Sequence, residues 1–213
     1  RNLSVALGSF SITPLESAMI YNVFASNGMK TTPIYVKYIS DRKGRIIENN
    51  EPGPEQVISP QTAFLITSMM EDVVRYGTGW RARSLGRPVA GKTGTTNDYK
   101  DAWFVGYTPN LAASVWVGFD NLKSLGSQET GARAASPIWV SFMNDALKGE
   151  PENFYSPEGI VSYFIDPATG LLSTDGSGMK EYFKEGTQPR EITGVETNWK
   201  IFEMMDPSKN NFD

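Results

Sequence analysis

Hydrophobic residues follow a helical spacing in three stretches of this 213-residue chain. In the first stretch, Thr13 stands where a helix N-cap is expected, Pro14 takes the first helical position, and Glu16 can reach back to close a capping box. Asn27 and Gly28 then form a stop signal. The pattern predicts a helix from Pro14 to this stop signal, with apolar side chains at Leu15, Met19, Ile20 and Val23.

The same spacing predicts two further helices. Ser59 and Pro60 open the second helix, which carries apolar side chains as far as Val73 and ends near Tyr76 and Gly77. The third helix covers residues 137–147 and follows the glycine-rich stretch "GSQETGARAAS".

Alternating apolar and polar residues indicate strands between these helices. Residues 34–46 alternate, turn at a polar segment and resume, which predicts a hairpin. Three more strands are predicted at residues 88–95, 102–107 and 111–119. The connection between the last two is too short for parallel strands, so they should pair antiparallel. Helices combined with antiparallel strands indicate an α+β fold, in which an antiparallel sheet packs with helices.

Five aromatic side chains fall at packing positions of these strands and of the third helix, and we expect them mostly in the core: Trp103, Phe104, Trp116, Phe119 and Trp139. The residue pattern changes after Gly149. The segment "IVSYFIDPATGLLS" is another hairpin candidate, and the residues after it are rich in turn formers. We therefore divide the chain into a main part, residues 1–149, and a C-terminal extension, residues 150–213.

Composition narrows the possible chemistry. Twenty Lys and Arg against 24 Asp and Glu give a net charge of -4, which offers no general attraction to nucleic acid or anionic lipid. The chain has no histidine and no cysteine, which excludes disulfides, thiolate metal sites and catalysis by His or Cys. The longest apolar run, residues 111–119, is too short to span a bilayer. We expect no cofactor, no metal and no nucleic-acid partner.

One predicted strand carries an unusual set of polar residues, "PVAGKTGTTND" over residues 88–98. Because side chains alternate along a strand, Thr93 and Thr95 should share one face and offer two hydroxyls to one carboxylate. Lys92 adds a charged donor, and Gly94 lets another backbone or a substrate come close. The backbone N–H of Thr95 could then stabilise an oxyanion. A Lys-(Ser/Thr)-Gly triplet alone is weak evidence, since it occurs by chance in roughly one chain in ten of this length.

Longer strings are far more specific than the triplet. The string "GRPVAGKTGTTNDYKDAWFVGYTPNLAASVWVGFDN" closely resembles the transpeptidase domain of class A penicillin-binding proteins, and so do "ALGSFSITPLESAMIYNVFASNGM", "ISPQTAFLITSMMEDVVRYGTG" and "GARAASPIWVSFM". The resemblance covers roughly residues 3–147. The strings "GIVSYFIDPATGLL" and "EYFKEGTQP" look like the C-terminal extension of that family. The implied fold is an incomplete penicillin-binding, β-lactamase-like transpeptidase fold.

The resemblance implies an acyl-transfer site. In this family a serine attacks a D-Ala-D-Ala stem peptide of peptidoglycan, or a β-lactam, and forms an acyl-enzyme. Carried over to this chain, Lys92 would assist proton movement and Thr95 N–H would complete the oxyanion hole. Thr93 and Thr95 would hold the substrate carboxylate, Gly94 would allow close approach, and Thr96 would contribute to substrate binding.

The nucleophile of the family is absent from the expected place. Two S-x-x-K matches exist, Ser40 to Lys43 and Ser177 to Lys180, but the first lies at a hairpin tip and the second in a glycine-rich loop. Ser and Lys should instead be one helical turn apart. A Ser-x-Asn match at Ser208 has the wrong order and receives no role. We expect this chain to be inactive alone and to need the missing N-terminal part of the same domain, possibly as a separate chain.

The resemblance thus implies a serine D,D-transpeptidase that cross-links peptidoglycan outside the cytoplasm. A membrane attachment would come only from an N-terminal anchor outside these residues. Two alternatives remain open: a related serine D,D-carboxypeptidase or β-lactamase, and a non-catalytic scaffold module of the same fold. Labelling by a fluorescent penicillin separates the transpeptidase and the related serine enzymes, which form an acyl-enzyme, from the scaffold module, which does not.

Overall fold

The computed structural model describes residues 11–149, 151–173 and 176–193. These residues form three α-helices, α1 (Pro14–Ala25), α2 (Pro60–Arg75) and α3 (Ser136–Ala146). They also form nine strands: β1 (Met29–Lys30), β2 (Tyr38–Ser40), β3 (Ile46–Asn49), β4 (Glu55–Gln56), β5 (Ala90–Thr95), β6 (Asp101–Tyr107), β7 (Ala112–Gly118), β8 (Ile160–Ile165) and β9 (Met179–Lys184). A 3₁₀ helix covers Trp80–Leu85, and a π-helical turn, Gly131–Ala135, leads into α3.

The local signals for α1 are confirmed. Thr13 caps the helix and forms a capping box with Glu16: Thr13 Oγ1 accepts from Glu16 N at 3.2 Å, and Thr13 N donates to Glu16 Oε2 at 2.8 Å. The helix ends at Ala25. Asn27 and Gly28 follow with φ of 54° and 88°, the left-handed backbone that ends helices.

The chain divides into two compact units, Arg1–Pro157 and Glu158–Asp213. In the first unit, β5, β6 and β7 form an antiparallel sheet in that order. Helix α3 packs on the face of the sheet that carries Phe104, and α1 packs on the face that carries Tyr107. The fold is therefore α+β, as the sequence predicts, and the antiparallel pairing of β6 with β7 is confirmed.

Two clusters of buried side chains hold the sheet between its helices. On one face, the Phe104 ring meets the Trp139 ring edge-on at 5.0 Å between centroids. On the other face, Tyr107 is fully buried, and its hydroxyl lies 2.8 Å from Thr67 Oγ1 of α2. Burial raises the pKa of Tyr107 well above its usual range, so the phenol remains protonated and keeps this hydrogen bond.

Two sequence predictions need correction. Phe119 is 50% exposed because it lies just beyond the last residue of β7. In the second unit, β8 pairs with β9 rather than with the residues around Leu172, which form only isolated bridges. The chain turns sharply before β9, because Gly178 has a φ of 106° and a Cβ there would overlap the Ile165 carbonyl.

The hairpin of β2 and β3 is confirmed, and all the residues of both strands are exposed. In the part of the chain that the structure describes, no helix has the length and apolar character needed to cross a bilayer.

Candidate functional site

Strand β5 lies at the edge of its sheet. It pairs with β6 on one side, and no described strand pairs with its outer edge. Ala90 and Gly91 are buried, whereas Lys92 and Thr95 are exposed. The strand therefore runs out of the core at Lys92, and its polar residues lie along an open edge.

The hydrogen-bond pattern shows which backbone groups point to this open edge. Thr96 N–H donates to the Asp101 carbonyl at 3.1 Å, on the side of β6. Because successive N–H groups of a strand point to opposite edges, the N–H groups of Thr93 and Thr95 point away from β6. The Thr95 amide thus has the orientation that an oxyanion donor at this edge requires.

The Lys92 side chain lies along the same edge. Its ammonium group donates a hydrogen bond of 2.7 Å to the carbonyl oxygen of Thr93, which also points outward. This bond holds the positive charge of the exposed Lys92 side chain beside the outward backbone groups of β5. A negative charge that forms on a group at this edge would be stabilised by both.

Thr93 and Thr95 share one face of β5, as the sequence predicts. They lie opposite Phe104 and Ala102 of β6. Thr95 Oγ1 accepts a hydrogen bond of 3.1 Å from the backbone N–H of Gly131, and Thr93 Oγ1 lies 2.6 Å from Thr78 Oγ1. A hydroxyl has one proton and two acceptor sites, so Thr95 keeps its proton for an acceptor outside this bond.

Gly131 allows a close approach between β5 and the π-helical turn, whereas the bare side of Gly94 faces Trp103 of β6. A Cβ on Gly94 would lie 3.1 Å from Trp103 Cβ. A Cβ on Gly131 would overlap the carbonyl oxygen of Trp103 and lie 2.5 Å from that of Gly94. The missing side chain at Gly131 is thus what brings its N–H within reach of Thr95.

Thr96 occupies a different environment from the other threonines. Its hydroxyl donates to Asp101 Oδ2 at 2.9 Å and accepts from Asp101 N at 2.8 Å. The other carboxylate oxygen of Asp101 accepts from Trp116 Nε1 at 2.9 Å. The Thr96 proton is therefore engaged within the protein, and this network fixes the end of β5 to β6 and β7. A substrate-binding role for Thr96 stays a prediction.

Of the five predicted site residues, Lys92, Thr93, Gly94 and Thr95 lie along the open edge strand β5, and Thr96 is bonded to Asp101 just beyond it. Three residues that the sequence analysis did not associate with these positions contact them: Thr78, Asp101 and Gly131. Thr78 and Gly131 come from segments 15 and 36 residues away from their partners in β5. The glycines on both sides of Thr78 are the sequence signal that marks its turn.

The serine-lysine pairs of the sequence do not form a nucleophile site. Ser40 is the last residue of β2 and Lys43 lies in the turn after it. Ser177 precedes β9 and Lys180 lies within that strand. Neither pair lies in a helix, so neither places its lysine one helical turn from its serine, as a serine-lysine nucleophile needs. Ser208 lies outside the described residues.

The family model described as penicillin binding protein transpeptidase domain matches residues 1–144, and the one described as penicillin-binding protein 1A, C-terminal domain, matches residues 156–197. Penicillin-binding protein 1A of Pseudomonas aeruginosa is 36% identical over 90% of this chain, and the chain spans 30% of that relative. The curated relatives are thus more than three times as long as the matched part of this chain.

Solved structures agree with these matches. Penicillin-binding protein 1A from Haemophilus influenzae superposes with a TM-score of 0.81 at 35% identity, over 89% of this chain and 34% of that structure. PonA1 from Mycobacterium tuberculosis, in complex with penicillin V, gives a TM-score of 0.64 at 31% identity over 73% of this chain and 44% of that one. From the family matches and this structural similarity we conclude that the chain belongs to the penicillin-binding protein transpeptidase family.

Proposed function

We propose that this chain is the C-terminal portion of a serine D,D-transpeptidase that cross-links peptidoglycan stem peptides and is acylated by β-lactams. The observation that carries the proposal is the open edge of β5, where the outward N–H of Thr95, the spare proton of its hydroxyl and the Lys92 ammonium lie together. The similarity to a relative solved in complex with penicillin V supports a β-lactam as a ligand of the protein that contains this chain.

The proposed reaction uses these groups on an acyl donor that carries a carboxylate. A serine hydroxyl attacks the carbonyl carbon of the D-Ala-D-Ala amide, an ester forms, and the C–N bond breaks. The serine proton reaches the departing amine of D-alanine, with Lys92 assisting the proton movement. The acyl group then passes to the amine of a second stem peptide: an amide bond forms, the ester bond breaks, and a proton from the amine returns to the serine oxygen. With a β-lactam, the ring C–N bond breaks and the opened ring remains attached.

Each group of β5 has a distinct role in this scheme. Thr95 N–H donates to the carbonyl oxygen as its negative charge develops, a contribution of about 3 kcal/mol in comparable acyl-transfer sites. The Thr93 and Thr95 hydroxyls donate hydrogen bonds to the carboxylate of the acyl donor. Gly94 leaves the strand without a side chain at the point where the substrate lies against it.

The nucleophile is proposed to come from a part of the transpeptidase domain outside these residues. The strand positions of Ser40 and Lys180 support this view, and so does the 30% share of a relative that the chain spans. The reaction would take place outside the cytoplasm, where peptidoglycan is built.

Labelling with a fluorescent penicillin tests the proposal. The intact protein, which contains this chain and the rest of the domain, should form a covalent adduct that unlabelled penicillin blocks. This chain alone should form none. An intact protein that takes no label would contradict the transpeptidase and favour the scaffold alternative.

The fate of the acyl group separates the enzymatic alternatives. With a D-Ala-D-Ala peptide and an acceptor amine, mass spectrometry should detect the cross-linked dimer. Release of D-alanine without a dimer indicates a carboxypeptidase instead, and rapid loss of the penicilloyl adduct indicates a β-lactamase.

A further inference from the structure

A tight turn at the end of α2 places Thr78 against β5. The carbonyl oxygen of Val73 accepts hydrogen bonds from the N–H groups of both Gly77, at 3.1 Å, and Gly79, at 3.0 Å. A Cβ on Gly77 would lie 2.9 Å from that oxygen, and one on Gly79 would lie 3.2 Å from it. The two glycines therefore let the turn fold closely over the last residues of α2, with Thr78 between them.

The Thr78 hydroxyl pairs with the first hydroxyl of the candidate site. Thr78 Oγ1 and Thr93 Oγ1 are 2.6 Å apart, a short hydrogen bond between residues 15 positions apart. Either hydroxyl is able to donate in this bond. One proton of the pair is used in it, and the other remains for a further acceptor.

The second hydroxyl of β5 has an equivalent arrangement. Thr95 Oγ1 accepts from Gly131 N–H at 3.1 Å and keeps its proton. If Thr78 donates to Thr93, both threonines of β5 accept a hydrogen bond from a flanking segment, and both have a proton to donate forward. A carboxylate in front of β5 selects this direction, since it accepts from Thr93 and polarises the Thr78–Thr93 bond.

We infer that Thr78 is a positioning residue for Thr93 in the binding of a carboxylate ligand. It supplies the hydrogen bond that fixes the Thr93 side chain in one rotamer and directs the Thr93 proton to the carboxylate. This inference rests on the proposed function, because it takes Thr93 as a carboxylate donor. Thr78 itself contacts Thr93 and needs no contact with the reacting atoms.

The variant Thr78→Val keeps the size and branching of threonine and removes the hydroxyl. In the intact protein it should reduce the second-order rate constant of acylation by penicillin G about tenfold, the upper end of the effect expected for the loss of one hydrogen bond between neutral groups. The lower second-order rate constant should result from a larger apparent dissociation constant for penicillin G, whereas the acylation rate constant at saturation should be unchanged. Thr78→Ser should stay within about twofold of the wild type, since serine keeps the donor.

Two further measurements separate positioning from a structural effect. The preference of the protein for penicillin G over its methyl ester should shrink about tenfold in Thr78→Val, because the ester lacks the carboxylate charge. In a Thr93→Val background, Thr78→Val should cause no further loss, because the partner through which it acts is already absent. The control Thr32→Val, at an exposed threonine of another loop, should acylate like the wild type.

The outcomes are distinguishable. If Thr93→Val is slow but Thr78→Val matches the wild type, the role of Thr78 is wrong and the proposed function stands. The role is also wrong if Thr78→Ser loses as much as Thr78→Val, or if the Thr78→Val effect persists in the Thr93→Val background. If Thr93→Val itself acylates normally, the carboxylate site at β5 is wrong, and the inference about Thr78 falls with it.

Discussion

Two antiparallel ribbons of this chain, the β2–β3 hairpin and the β5–β7 sheet, arise from similar alternating sequence patterns but differ in their surroundings. In the hairpin, Asp41 bonds to Lys43 N and Arg45 N, only two and four residues away. In the sheet, the two hydroxyls of β5 bond to segments 15 and 36 residues away. The hairpin thus organises only itself, whereas β5 has polar side chains fixed by distant elements. Such preorganisation is what a binding strand requires.

The largest difference between the two ribbons should appear in the acylation rate when a lysine of each ribbon is replaced. Lys92→Met removes the charge beside the outward amides of β5 and the group proposed to assist proton transfer. We expect it to slow acylation of the intact protein by penicillin about a hundredfold or more. Lys43→Met, at the hairpin turn, should leave the rate unchanged. The second-order rate constants with a fluorescent penicillin measure both, and equal rates for the two variants would contradict the difference between the ribbons.

The next largest effect should come from the glycines. Gly131→Ala places a Cβ against the carbonyl oxygens of Trp103 and Gly94, so the π-helical turn must move away from β5. Overpacking of this kind costs about 1–3 kcal/mol. A cost of about 2 kcal/mol would speed amide hydrogen exchange in peptides that cover β5 and residues 131–135 about thirtyfold.

The matched control for this glycine is Gly44→Ala in the hairpin turn. Nothing lies within 4 Å of a Cβ there, but the φ of 80° is unfavourable for alanine and costs about 1 kcal/mol. Faster exchange should therefore be confined to peptides that cover β2 and β3. Unchanged exchange at β5 in Gly131→Ala would show that the contact of Gly131 with Thr95 is unimportant for the strand.

A smaller effect is expected for the carboxylates. Asp101→Ala removes the acceptors of the Thr96 hydroxyl and of the Trp116 indole, which should destabilise the end of β5 by about 1–2 kcal/mol. Asp41→Ala removes bonds of an exposed turn and should affect only the hairpin. Hydrogen exchange again measures both. Equal protection of β5 in the Asp101 variant and the wild type would argue against a network that holds the strand end.

The smallest effect should come from the apolar surface of the hairpin. Ile47 is 66% exposed, so Ile47→Thr should change the melting temperature of the intact protein by less than about 1 °C, since exposed substitutions usually stay within about 0.5 kcal/mol. Val105→Thr, at a buried position of β6, should lower it by several degrees. A large effect at Ile47 would show that the hairpin is covered by another part of the protein.

Local signals were sufficient for most of the fold. The capping box at Thr13 and the stop at Asn27 depend on neighbours within a few residues, and short turns fix the pairing of β6 with β7. Phe119 was misplaced because the apolar run continues one residue past the sheet. The hairpin predicted within "IVSYFIDPATGLLS" was wrong, because the local turn after Asp166 indicates a short hairpin there. The strand that pairs with β8 is β9, which follows later in the chain.

Only the part of the candidate site that lies within strand β5 was predicted from the sequence. The shared face of Thr93 and Thr95 follows from the alternation of side chains, and the structure has it. The contacts with Thr78 and Gly131 could not be predicted, because they join segments that only the folded chain brings together. The roles of these residues in binding and catalysis stay predictions until they are measured.

The binding of an acyl donor at the outer edge of β5 is best examined in a crystal structure of the intact protein acylated by penicillin G. We expect the β-lactam carboxylate to lie about 3 Å from the hydroxyl oxygens of Thr93 and Thr95, and the acyl oxygen to accept from Thr95 N–H at a similar distance. An acyl group attached elsewhere, with the outer edge of β5 covered by another strand, would contradict binding at this edge.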